Sequence, residues 1–81
     1  MDKRNNIREI AQTLSPGWYW VYFVPNKVER DPYWTLYKKL KPDWSGITRW
    51  QHSSGGEWLI KNLESAGCCY LHPEQVEPPK F

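Results

Sequence analysis

The sequence predicts a small, mainly β protein: an antiparallel curved sheet or SH3-like barrel with a short N-terminal helix. Three observations predict it. Short apolar and aromatic runs recur along the chain, separated by Pro, Gly, Asn, Asp and Ser clusters, and give about four or five strands. Apolar residues at helical spacing appear in one place, near the N-terminus. Aromatic residues make up 16% of the 81, with six Trp, five Tyr and two Phe. That excludes a disordered composition, because so much aromatic surface favours a folded core or a binding face. A three-stranded sheet with a packed helix is the alternative architecture.

The elements follow in order. Ile7, Ile10, Ala11 and Leu14 recur at helical spacing, and Asn6 followed by Glu9 resembles a capping box. A helix near 7–14 is expected, ended by Ser15-Pro16-Gly17; two turns need docking to persist. Trp18 to Val24 is the clearest strand, and its two apolar faces predict cover on both sides. Pro25-Asn26 breaks it, and Val28 to Pro32 reads as a charged loop. Tyr33 to Leu40 is a second strand, followed by turn signals at Pro42-Asp43 and Ser45-Gly46.

Ile47 to Gln51 and Glu57 to Ile60 flank His52-Ser53-Ser54-Gly55-Gly56, the sharpest hairpin signal in the chain. Gly55-Gly56 supplies the positive φ angles of a tight turn, and Trp50 and Trp58 are placed to face one another across it. Leu63 to Gly67 reads as one helical turn or a loop. Cys68 to Leu71 is a last strand, closed by His72 before Pro73. Pro73 to Val76 resembles a short 3₁₀ turn, and Glu77 to Phe81 an extended tail. Length allows one domain, 1–81, with a few frayed residues at each terminus.

Motifs of catalysis are missing from the string. It contains no GxSxG elbow, HExxH, P-loop or dinucleotide fingerprint. Asp31, Asp43, Glu57 and Glu64 are scattered beside turns or in loops, where carboxylates serve caps and solvent. Cys68 and Cys69 are adjacent, too close for an ordinary disulfide. In a strand they point to opposite faces, one toward the core and the other more exposed. Cys69 and His72, joined by Cys68 or His52, are candidate zinc ligands, without the usual CxxC pair. No cofactor and no metal are expected, and the chain is read as a non-enzyme. His52 is expected to serve the adjacent turn.

Charge is uneven. Residues 1–41 carry eight basic and four acidic side chains, residues 42–81 three and five. Lys38, Lys39 and Lys41 form the one dense basic tract, placed on a solvated edge strand, serving as a phosphate-binding patch or contacting an acidic protein surface. No apolar stretch is long enough to span a membrane, and the first ten residues lack a signal-peptide core. A cytoplasmic location is the expectation, in keeping with two free thiols.

Thirteen aromatics exceed what a minimal core needs. Trp18, Trp20 and Trp58 lie in the best strand segments and are read as core. The candidate partner-binding set is Trp34, Tyr37, Lys38, Lys39, Lys41, Trp44, Arg49 and Trp50. Such residues suit a polyproline groove, a cage for a methylated cation, a base-stacking surface or a flatter protein interface. The flatter interface is preferred, because the basic excess is modest.

Pro16-Gly17-Trp18-Tyr19-Trp20-Val21, with Gly55-Gly56-Glu57-Trp58 later, resembles the pattern of small phage and prophage accessory proteins that carry a PGWYW-type strand and a Trp-rich meander. The resemblance covers about ten residues. It implies a phage protein acting in the host cytoplasm on a host or phage protein, in the style of inhibitors of host defence such as anti-CRISPR proteins. The expected function is a non-catalytic protein-binding module. The alternative is a small nucleic-acid-binding module using the 38–41 basic tract and nearby aromatics.

Overall fold

Asn6 starts the first helix as its spacing requires. In the computed structural model, which describes residues 5–25 and 30–78, its side chain accepts the Glu9 N–H at 3.2 Å and donates to the Glu9 carboxylate. Helix α1 runs Ile7–Thr13 and buries Ile7 and Ala11 on one face. Seven residues are too few to hold a helix alone. Its C-terminal carbonyls are tied down by an ammonium instead: Lys39 Nζ donates to Ala11 O at 2.5 Å and to Leu14 O at 2.6 Å. Burial lowers the pKa of Lys39 from its ordinary value.

Strand β1 (Gly17–Phe23) is the spine of the sheet. It pairs antiparallel with β2 (Tyr33–Lys39) on one side and β5 (Cys68–Leu71) on the other. β3 (Trp50–His52) pairs with β2, and β4 (Glu57–Trp58) with β3, giving the order β4-β3-β2-β1-β5. Helix α2 (Ile60–Ser65) follows β4 at once. Gly56 turns the β3–β4 hairpin at φ +85°, and a Cβ there would run into the Trp58 ring.

Alternation divides the strand residues between two faces. Tyr19, Val21 and Phe23 face α1 and α2 with Tyr37, Trp50, Cys68 and Leu71, and Ile7, Ala11 and Leu63 close this core from the helices. Trp50, 1% exposed, packs edge-on to Tyr19 with ring centroids 6.2 Å apart. Phe23 stacks on Tyr33 and tilts against Tyr37. An exposed Arg8–Glu64 pair at 2.9 Å joins the two helices.

The small antiparallel sheet with its N-terminal helix is as expected, and the facing of Trp50 and Trp58 is a register pair. The SH3-like closure is not: β4 and β5 are opposite edges of an open sheet. Strand β4 stops after two residues because Leu59 becomes the N-cap of α2, so the fourth strand never reaches the fifth. Three further readings change. Ile60, expected to end a strand, begins α2, which replaces the single turn or loop expected from Leu63. Pro73 to Val76 forms a bend at Glu74 and an isolated bridge from Val76 to Trp18 rather than a 3₁₀ turn. Strand β2 lies inside the sheet, so its lysines guard no edge. The loop expected at 28–32 lies partly outside the described residues, as do the terminal residues expected to fray. No described helix is long and apolar enough to cross a membrane.

Candidate binding face

Both helices pack into the core on one side of the sheet, so among the described residues no helix covers the other side of β2, β1 and β5. Register places its side chains in rows. Trp34, Tyr22 and Tyr70 form one row, and Leu36 and Trp20 the next. His72 extends the second row, its backbone N–H donating to Trp20 O at 2.9 Å. Lys38 and Trp18 form the third. The first row is a chain of ring contacts, with Tyr22–Trp34 centroids 4.9 Å apart and Trp34–Tyr70 5.8 Å apart; Tyr70 then meets His72 at 6.3 Å.

Trp20, Trp34 and His72 line a shallow recess of about 380 Å³ on this face, almost wholly apolar. Trp20 is 40% exposed and Trp34 37%. The His72 Nδ1 accepts the Glu74 N–H at 3.2 Å, which places the proton of the neutral ring on Nε2.

The residues singled out from the sequence scatter. Trp34 and Lys38 stand on the open face. Lys39, one residue on, points the opposite way into the core, where Ala11 and Leu14 hold its ammonium. Lys41 and Arg49 lie in exposed backbone beyond the strand ends. A two-residue period therefore separates Lys38 from Lys39, and those two do not share a face. Tyr37 is buried, its phenol pushed up to about 12 chiefly by burial. Trp50 is core, which reverses its placement at an interface.

Trp20 and Trp58, read as core, are both 40% exposed. Trp44 is 97% exposed at the tip of a turn built by Asp43. The Asp43 carboxylate accepts from Ser45 N–H, Ser45 Oγ–H and Ile47 N–H at 2.9, 2.6 and 3.1 Å.

Sequence reasoning missed Trp20, Tyr70 and His72 as one surface. The signal lay in the β1 alternation: Trp18, Trp20 and Tyr22 carry polar handles, while their inward neighbours include Val21 and Phe23. Trp and Tyr tolerate a half-wet face as Val and Phe do not. For His72 the sequence suggests a strand terminator and a candidate metal ligand beside Cys69, neither of which points to this face.

Among the described residues, Ser54 and His52 form a pairing of hydroxyl and imidazole. Ser54 Oγ lies 2.5 Å from His52 Nδ1, and the other ring nitrogen meets Thr35 Oγ1 at 2.9 Å. A hydroxyl in the third place cannot stabilise an imidazolium as a carboxylate does. The Ser54 N–H also donates to Nδ1, so the ring serves the turn. Among the described residues no group of three or more His, Cys, Asp or Glu side chains is arranged to hold a metal ion. Cys68 is buried and Cys69 half-buried, neither in a disulfide. Compared with protein-family models, with curated proteins and with solved structures, the chain matches none of them.

Proposed function

We propose that this chain is a non-catalytic protein-binding module whose contact surface is the open aromatic face of the sheet. The observation that carries the reading is the apolar recess of Trp20, Trp34 and His72, set opposite the helix-covered core. Trp and Tyr anchors in such surroundings are what protein interfaces concentrate. Turn service by His52 and the scattered carboxylates support a non-enzyme. The likeness of Pro16 to Val21 to small phage accessory proteins supports a host protein as the partner, a defence protein in the host cytoplasm being the reading in that style.

Nucleic-acid binding is the weaker reading, because each phosphate contact wants a cation. The face carries Lys38, while the Lys39 ammonium is spent on helix carbonyls.

The test uses the full chain as bait in lysate of its native host, beside a Trp20→Ala/Trp34→Ala variant shown to be folded by circular dichroism. A partner retained by the parent and lost by the variant is the expected result. Retention unchanged by the variant, or salt-sensitive capture of nucleic acid in place of protein, overturns the reading.

A further inference from the structure

We infer that the recess between Trp20, Trp34 and His72 receives a proline-rich segment of the partner in the polyproline II conformation; this rests on the protein-binding reading above. Spacing is the first argument. Trp20 pairs with Leu36, so Trp34, two residues along β2, is its diagonal neighbour. Diagonal neighbours stand about 7–8 Å apart at the backbone. The Trp34 ring packs on Tyr22 and Tyr70 in the neighbouring row, and the recess lies between it, Trp20 and His72.

Hydrogen-bonding chemistry is the second. An indole can donate and cannot accept. The acceptor nitrogen of His72 is already taken by the Glu74 N–H, which leaves Nε2–H as a donor. The donors on offer are those of Trp20 and His72, and the lining is otherwise apolar, with no strong acceptor. A proline tract is the converse: it has carbonyl acceptors and no N–H to leave unsatisfied. An ordinary extended peptide would bring N–H groups that this lining cannot satisfy, at a desolvation cost.

The geometry disfavours two other occupants. A strand added to the β5 edge would need backbone groups that Asn5 holds: its N–H donates to Cys69 O, and its side chain bonds both N–H and C=O of Leu71. A second copy seated face to face would cover three strand widths by about five residues. At about 4.8 Å per strand and 3.3 Å per residue that is roughly 250 Å² a side. A biological interface should clear about 1,000 Å² in total. A polyproline segment needs no such area, because it arrives already ordered.

The probe is a decaproline peptide titrated into the ¹⁵N-labelled full chain, followed by the indole N–H signals and the His72 amide. Expected are saturable shifts at Trp20, Trp34 and His72, with Trp50 unmoved, and no such shifts from a Gly-Ser peptide of equal length. Trp34→Ala should weaken binding at least about tenfold, and Lys61→Ala on the far side should leave it unchanged. Parent signals assign the site even where a variant folds poorly.

Absence of saturable shifts at millimolar peptide overturns the inference. So does tighter saturation of the same signals by tetramethylammonium, or their concentration-dependent broadening without peptide, which would make a second copy the occupant. If decaproline fails while the Trp20/Trp34 variant still loses its captured partner, this inference falls alone. If capture is also indifferent to the variant, both fall.

Discussion

Trp50 and Trp20 are the same residue type put to opposite uses. Trp50 is sealed beneath the helices, and its truncation to Ala should cost about 3–5 kcal/mol, the range for a buried Trp. Trp20, 40% exposed on the uncovered face, should cost about 1–2 kcal/mol, since less apolar area leaves water when it folds. Urea unfolding of the two variants checks this, and equal losses would place Trp20 in the core after all. The adjacent thiols divide in the same way. Burial, and then the neighbouring Cys69, push the Cys68 thiol up to about 12. At pH 8 a thiol reagent should therefore modify Cys69 first and reach Cys68 only with unfolding. Simultaneous modification of both in the native protein would contradict the packing. That one cysteine would be inward and the other not was legible in the sequence. The bulge that does it was not: Tyr22 pairs with Tyr70 and Phe23 with Cys68, leaving Cys69 as the extra residue.

Among the elements, α1 was legible because its signals are local: Asn6, Glu9 and the spacing of Ile7 and Ala11 lie within two turns. α2 was hidden because its N-cap is Leu59, which has no capping side chain. The cap works in reverse, with Asn62 Oδ1 accepting the Leu59 N–H at 3.1 Å. The turn carrying Trp44 has its own pH dependence. Its three donors, the Ser45 hydroxyl first, hold the Asp43 carboxyl below its usual value. A depressed carboxylate contributes stability above its unfolded pKa and loses it as pH falls through the folded one. Protection of the Ser45 and Ile47 amides, taken against the intrinsic exchange rate at each pH, should therefore be high near neutral pH and fall in acid below the usual carboxylate range. In Asp43→Ala it should be low at both. Protection that persists in the alanine variant would show that the backbone bonds Asp43 N–H to Ile47 O and Gly46 N–H to Asp43 O suffice.

For the whole molecule, strand count and antiparallel pairing could be read from runs and turns, while the covered face could not. The apolar faces of Trp18 to Val24 predict cover on both sides, yet Trp20 is left 40% exposed, because which face is covered depends on where two short helices dock. Docking is set by contacts distant in sequence, the Lys39 anchor on α1 among them. The open face and the failure of barrel closure are one event, because residues that would have extended β4 instead build α2. Openness leaves two strand rims, and a rim of unpaired amides is a template for polymerisation. Strand β4 blunts one by brevity. At the other, the carboxamide of Asn5 imitates a strand one residue long, giving and taking a hydrogen bond at Leu71. Asn5→Ala should raise the concentration-dependent light scattering of a purified sample on storage. Asn5→Asp should do so too, since a carboxylate can accept from Leu71 but cannot donate to it. Scattering like the parent's in both would show that the rim is guarded by something else. If both scatter, the shelf life of this protein in solution hangs on a single amide nitrogen.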